Sequence, residues 1–340
     1  MKRLTLAAVI SLFVAPAFAQ GVEDFYRGRT MEMLIGYTTG GGYDTYGRLV
    51  ARHLGQFIPG KPNIVVRNLP GGGGRVLMGH MMNIAPKDGS IIATADQSLP
   101  LAQAMRDPTI LFDAKAFNWV GNPAADNNTV VTWHTTGVTN MEDARRKEVI
   151  MASTGPNTSS QIPYAMNATL GTRFKVVTGY PGGNEMNMSM ENGETGARGS
   201  NPWSTWKATK PDWIRDKKIN IIAQVGLARA PDLPDVPLII ELASNEADRA
   251  ALRLLSAPSA IGRPYFTTPG APAERVKALR EAFDRMVKDP AFLEEAKKLA
   301  LEINPVSGEE LQKIVADIVD TPAQVADRLN AIITPTAGQK

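Results

Sequence analysis

The chain predicts an α/β fold with parallel sheets divided over two domains, and three observations carry that prediction. Strand-like apolar runs alternate with helix-periodic segments along the chain, the pattern of parallel sheets covered by crossover helices. Two glycine clusters near the front each follow a strand-like run and precede a helix-like one, and the second half repeats this order. The length, 340 residues, suffices for about two ordinary domains.

The elements follow in order. Met33-Leu34-Ile35-Gly36-Tyr37 is a strand that runs into Thr38-Thr39-Gly40-Gly41-Gly42-Tyr43-Asp44. Tyr46, Leu49, Val50, Leu54 and Phe57 then recur at helical spacing until Pro59, Gly60 and Pro62 end the element. Ile64-Val65-Val66-Arg67-Asn68 is a second strand, leading into Leu69-Pro70-Gly71-Gly72-Gly73-Gly74 and a helix with Leu77, Met81 and Ile84 on one face, stopped by Pro86. Lys87-Asp88-Gly89 turns into a strand over 91–95, another strand spans 117–120, and Asn122-Pro123 is the expected crossover to the next domain. The second series places strands at 129–133, 149–152, 174–178 and 219–225, with helices at 141–147 and 160–170. A segment around 260–266 leads into closing helices whose starts carry Asp289-Pro290, the capping box from Ser307 to Glu310, and Thr321-Pro322 with Gln324.

The glycine loops are the candidate binding elements. A loop without Cβ atoms lets a ligand reach the backbone, and the free N–H groups at a helix N-terminus favour an anion there. In the second half, Ser153-Thr154-Gly155-Pro156-Asn157-Thr158-Ser159 and Gly179-Tyr180-Pro181-Gly182-Gly183-Asn184-Glu185 stand in the same position, and ligands of open α/β sheets lie outside the carboxyl ends of the strands. Two domains with such loops are suited to close on one small anion.

Composition narrows the partners. Lys2 and Arg3 precede an apolar stretch from Leu4 to Val14, and Ala17-Phe18-Ala19 fits the small-residue cleavage pattern, so residues 1–19 read as a secretory signal peptide cleaved after Ala19. The stretch is short for a membrane span and is followed by Pro16. With no cysteine, disulfides, thiol catalysis and lipid attachment at a cleavage-site cysteine are excluded. Without Lys2 and Arg3 the mature chain holds 35 basic and 34 acidic residues, with no dense basic run, so nucleic acid is not an expected partner. His53, His80 and His134 lack metal-ligand spacing, no H-E-x-x-H or G-x-S-x-G occurs, and the spacing of Gly40, Gly41 and Gly42 is not the dinucleotide fingerprint. No cofactor and no catalytic set is therefore expected. Trp203, Trp206 and Trp213 read as core packing, and Met186, Met188 and Met190 as gap fillers.

At this point the residues carry a resemblance. The exported start, the 37–44 loop with Arg48, the 65–74 loop, the turn Ala85-Pro86-Lys87-Asp88-Gly89 and the run Pro231-Asp232-Leu233-Pro234-Asp235-Val236-Pro237 together resemble the substrate-binding proteins of tripartite tricarboxylate transporters, also called the Bug family. The resemblance implies a type II periplasmic-binding-protein fold: two α/β lobes, a hinge of two crossing strands, and a cleft in which backbone amides and bridging waters grip an organic carboxylate. It implies lobe one from 20–122 with 259–340, lobe two from 123–258, a periplasmic monomer, and membrane transporter subunits as partners. Carried across by position, it points to Tyr37, Gly40, Gly41, Gly42, Asp44, Asn68, Gly71, Gly72 and Gly73 in lobe one, and to Ser153, Asn157, Thr158, Ser159, Tyr180 and Gly183 in lobe two. Asp44 is equally a helix cap.

One segment departs from the family pattern. Gly193-Glu194-Thr195-Gly196-Ala197-Arg198-Gly199 replaces a Gly-x-Val-Asp-like turn, with Gly196 where an acid is usual. Arg198, expected where the chain leaves a lobe-two strand at its carboxyl end, is a candidate for a second carboxylate of the ligand; the competing reading is a salt bridge to Glu194 or Glu185, or a solvated turn. Two other functions stand beside the transport role: an exported enzyme acting on a carboxylated substrate, and a sensor that reports ligand to a membrane receptor.

Overall fold

The computed structural model describes residues 21–334; the expected signal peptide and its cleavage point lie outside the described residues. Eleven strands, β1 (Thr30–Ile35), β2 (Asn63–Asn68), β3 (Ile91–Thr94), β4 (Asn118–Asn122), β5 (Asn128–Trp133), β6 (Val149–Ser153), β7 (Phe174–Thr178), β8 (Ala197–Pro202), β9 (Ile219–Val225), β10 (Tyr265–Thr267) and β11 (Val306–Ser307), form two sheets among the described residues. The first has the order β11-β4-β10-β3-β1-β2 and the second β7-β6-β8-β5-β9. In each sheet a parallel half (β3-β1-β2; β7-β6-β8) is extended by antiparallel strands. These are two mixed α/β lobes.

Local pattern explains the packing. In β1, Met31, Met33 and Ile35 bury one face against Tyr46, Leu49, Val50 and Leu54 of helix Gly42–Leu54 and against Phe283 and Met286, while Leu34 points into the other layer with Leu77 and Met81. Strands buried on both faces read as continuous apolar runs, as β3 does. In the second lobe Trp203, Trp206 and Trp213 are packing residues as expected; Trp213 meets Trp133 edge-on with ring centroids 4.5 Å apart.

The chain changes sheets between β4 and β5 and returns through 257–264. The buried side chain of Asn122 pins both passages: its Oδ1 accepts from the Ala124 N–H at 2.8 Å and from the Arg263 N–H at 3.0 Å. Helix Gly308–Val319 packs on β4, whereas the last helix, Ala323–Ile333, lies against helices Thr158–Leu170 and Glu246–Ser256, tied by an Arg328–Asp248 ion pair. Arg198 is placed differently from expectation. The strand begins at Ala197, so Arg198 sits at the start of β8, not at its carboxyl end, paired with Val131 of β5 and Ala152 of β6.

Candidate functional site

The loops that follow β1, β3, β6 and β7, together with β8 and the return segment, meet around one cavity between the lobes. Three helices point their N-termini at it: Gly42–Leu54, Thr158–Leu170 and Gly183–Glu191. The aligned peptide dipoles of three helix starts place partial positive charge there. The cavity gives the centres of water-sized spheres about 60 Å³, room for about four to six waters at about 10–15 Å³ each. That is the scale of a small organic acid.

Of the residues named from sequence, Tyr37, Gly41, Gly42, Asn157, Thr158, Ser159, Gly183 and Arg198 line this cavity. Gly40, Asp44, Asn68, Gly71, Gly72, Gly73, Ser153 and Tyr180 do not, and for most of them the geometry shows another task. Asp44 caps the loop by accepting from the Gly40 N–H at 3.0 Å, pairs with Arg48 at 3.0 Å, and accepts from Asn68 Nδ2 at 2.9 Å; Asn68 also donates to the Tyr37 carbonyl at 2.7 Å. Burial pushes the Asp44 carboxyl up, but the hydrogen bonds from Arg48, Asn68 and Gly40 outweigh it and hold it below the usual range. Asp44 and Asn68 thus hold the two strand ends of lobe one in register beneath the cavity. In lobe two Ser153 instead ties up its own loop after β6, bonding Ser159 Oγ at 2.8 Å and accepting from the Gly155 N–H at 3.1 Å.

The glycines of the second cluster let the lobes approach. Gly71 to Gly74 all have positive φ, and a Cβ on Gly73 would lie 2.7 Å from Asn157 Nδ2 of the opposite lobe. A Cβ on Gly42 would lie 2.6 Å from Thr205 Oγ1, and one on Gly182 would collide with Thr38. Direct bonds also join the lobes: Asn157 Nδ2 donates to the Tyr37 hydroxyl at 3.3 Å, and Thr38 Oγ1 donates to Glu185 Oε2 at 3.0 Å.

Structure adds residues that sequence reading missed. Tyr43 stacks on Tyr37 with centroids 4.9 Å apart, and its hydroxyl accepts from the Gln97 N–H at 3.0 Å. The Tyr37 hydroxyl donates to Asp96 Oδ2 at 2.7 Å, and Asp96 Oδ1 accepts from both the N–H and the hydroxyl of Ser98. Burial, reinforced by Asp96, drives both tyrosine hydroxyls well above their ordinary pKa, so they stay protonated. Asn128, Thr154, Met186, Ser200, Asn201, Pro202, Thr205 and Arg263 complete the lining. A signal for Arg263 was available: a lone arginine in the apolar return segment Ala260-Ile261-Gly262-Arg263-Pro264-Tyr265.

Arg198 is not a salt-bridge or surface residue. It is 4% exposed, and all its partners are neutral: Asn187 Oδ1 at 2.6 Å, Asn201 Oδ1 at 3.2 Å and the Gly183 carbonyl at 3.3 Å, with its guanidinium 5.0 Å from the Trp206 ring centre. Desolvation by burial pulls its pKa down to about 9, opposed only by Tyr37.

Two lobes joined by a pinned crossover, with the polar ends of both sheets enclosing one small cavity, define a two-lobed solute-binding protein. Residues 48–331 match the tripartite tricarboxylate transporter family receptor, and the chain belongs to that family. Among curated relatives, the UPF0065 protein in gbd 5'region of Cupriavidus necator is 23% identical over 332 residues, covering 95% of this chain and 94% of that one. Among solved structures, the periplasmic binding protein BugD is 19% identical with a TM-score of 0.72, covering 90% of this chain and 98% of that one. MatC from Rhodopseudomonas palustris with bound malate is 15% identical (TM-score 0.68; 90% and 99% covered), and an R. palustris protein with adipate is 19% identical (TM-score 0.69; 89% and 98% covered). The family and these neighbours are binding proteins, and this chain is a solute-binding protein rather than an enzyme.

Proposed function

We infer that the protein captures a small organic carboxylate in the interlobe cavity and delivers it to the membrane subunits of a tripartite tricarboxylate-type transporter. One observation carries the ligand class. Among the cavity-lining residues, the buried side-chain polar atoms left without a partner are mostly donors, Arg198 Nε, Arg263 Nε and Nη1, and Asn201 Nδ2, against a single acceptor, Gln97 Oε1. Buried donors without acceptors cost free energy until something supplies oxygens, and three helix N-termini add to the demand for negative charge. The malate and adipate held by the neighbours are consistent with that class.

In this reading the protein is exported, loses residues 1–19, works in the periplasm as a monomer, and binds no nucleic acid. Lobe one (20–122 with 259–340, its last helix reaching onto the other lobe) and lobe two (123–258) close about Asn122-Pro123 and the 257–261 return. Tyr37, Gly41, Gly42, Asn157, Thr158, Ser159, Gly183 and Arg198 contact the ligand, directly or through water. Gly40, Asp44, Asn68, Gly71, Gly72, Gly73, Ser153 and Tyr180 shape the loops.

A thermal-shift screen of small carboxylates tests it. A cognate ligand at about 100 times Kd adds about 2.7 kcal/mol by mass action and raises Tm by several degrees, while sodium chloride of equal ionic strength does not. A broad screen without a hit, or turnover of a candidate, would overturn the reading.

A further inference from the structure

The cavity holds a second guanidinium that is as deeply buried as the first and comes from the other lobe. Arg263 is 1% exposed and sits in the return segment between the sheets. Its guanidinium lies 4.2 Å from the Tyr46 ring centre, its one side-chain hydrogen bond goes to the neutral hydroxyl of Thr205 across the cleft, and its Nε and Nη1 have no partner. Among the described residues no carboxylate lies within ion-pair distance of either Arg198 or Arg263. Asp96 is engaged by Tyr37 and Ser98, and Asp126, which Arg263 acts on electrostatically without pairing with it, accepts from the Ser204 N–H at 2.6 Å.

An arginine at a protein surface finds water or an acid; one that is buried with neutral partners retains its charge, and Arg263, with a single side-chain bond, also retains most of its donor fork, while Arg198 keeps its Nε–H uncommitted. Two such forks, one on β8 and one on the segment that leads back into β10, face a single cavity. An oxyanion set between them would relieve the desolvation of both guanidinia and add charge-assisted bonds to both lobes at once.

We propose that Arg263 is the residue that sets ligand charge: with Arg198 it forms a two-lobe guanidinium pair that selects a solute bearing two anionic groups and closes the lobes only when both are present. This rests on the carboxylate-binding reading above and adds to it the residue and the charge count. Thr205 is the positioning residue that holds the Arg263 fork from the opposite lobe.

The experiment is titration calorimetry on the mature full-length protein with four- to six-carbon dicarboxylates, each paired with its monoamide, which keeps the skeleton and removes one charge. Wild type is expected to favour the best dicarboxylate over its monoamide by about ten- to a hundredfold. Arg263→Gln is expected to lower dicarboxylate affinity by that factor and monoamide affinity by much less, and so collapse the ratio; Arg263→Lys, which keeps the charge without the fork, recovers part of it. A monoamide that binds wild type as tightly as its dicarboxylate, or an Arg263→Gln variant that weakens both equally while Tm is retained, overturns the proposal and leaves carboxylate binding intact. Binding of neither member of any pair overturns the carboxylate reading itself, and the proposal with it. If Arg263→Gln does not fold, the wild-type ratio and Arg263→Lys decide the matter alone.

Discussion

Gly42→Ala isolates lobe closure from lobe folding. Gly42 opens helix Gly42–Leu54 and has no positive φ, so alanine there fits the backbone and, by helix propensity alone, would stabilise the free lobe by up to about 1 kcal/mol. Closure is another matter. The added Cβ would stand 2.6 Å from Thr205 Oγ1 and 2.9 Å from its Cγ2, atoms of the opposite lobe. Thr205 cannot simply rotate away, because its hydroxyl also receives Arg263. Overpacking of this kind costs about 1–3 kcal/mol, which at about 1.4 kcal/mol per decade predicts a roughly five- to 150-fold weaker Kd by calorimetry with Tm of the unliganded protein unchanged or slightly raised. Thr205→Ala removes both offending atoms and leaves its own Cβ at 3.4 Å, so Gly42→Ala should cost far less in that background, and a double-mutant cycle should show the coupling. Equal affinity in Gly42→Ala, or an equal penalty with and without the threonine side chain, would show that this cleft geometry does not occur in the liganded protein.

Two other substitutions separate scaffold from contact. Gly73→Ala meets both a positive φ of 65° and Asn157 of the other lobe, whereas Gly179→Ala at φ 108° meets nothing within 4 Å; both should lower Tm through backbone strain, but only the first should also weaken ligand binding in calorimetry. Asp44→Asn removes the Arg48 pair and the anionic acceptor for Gly40 and Asn68, so Tm should fall by the equivalent of about 1–3 kcal/mol. The Asp44 carboxyl is depressed in the fold, so its contribution is complete above the unfolded pKa of about 4 and is lost as pH falls through the lower folded value. The gap between wild type and variant in Tm should accordingly close on acidification below about pH 4; a gap that persists there would contradict this account.

The strands and glycine loops were legible because they are local. Period-two and period-3.6 apolar patterns, prolines and glycines mark β1 through β3 and β5 through β7 within a residue or a few, and those loops deliver Tyr37, Gly41, Asn157 and Gly183 to the cavity. What was not legible is non-local. β8 reads Ala-Arg-Gly-Ser-Asn-Pro, with no apolar alternation, and is a strand because β5 and β6 hold it from both sides. Asp44 and Asn68 look like ligand contacts beside a glycine loop, yet their side chains turn to each other and to Arg48, which only the parallel pairing of β1 with β2 makes possible. Arg263 stands out in its apolar segment, but that segment does not show what the side chain faces. Only the crossing from the second sheet back to β10 sets it on the cavity wall with Gln97 from the loop after β3.

Asp96 decides how a ligand sits. A carboxylate in a cavity meant for anions repels them at short range, yet Asp96 lines this one and is 6% exposed. Its oxygens accept from Ser98 and from Tyr37, and Tyr37 in turn accepts from Asn157 of the other lobe, so the acid anchors a hydrogen-bond chain that spans the cleft. Deleting it would free the anion from repulsion but leave the Tyr37 hydroxyl without its acceptor and the chain without its end. The opposing charges are held at different places on the wall: the acid on the loop after β3, the guanidinium forks on β8 and the return segment. An anionic solute therefore turns its oxygens toward Arg198 and Arg263 and away from Asp96, and whatever part of it lies near Asp96 must be neutral or a hydrogen-bond donor. Orientation in this cleft follows from where the one acid is held, as much as from where the arginines are.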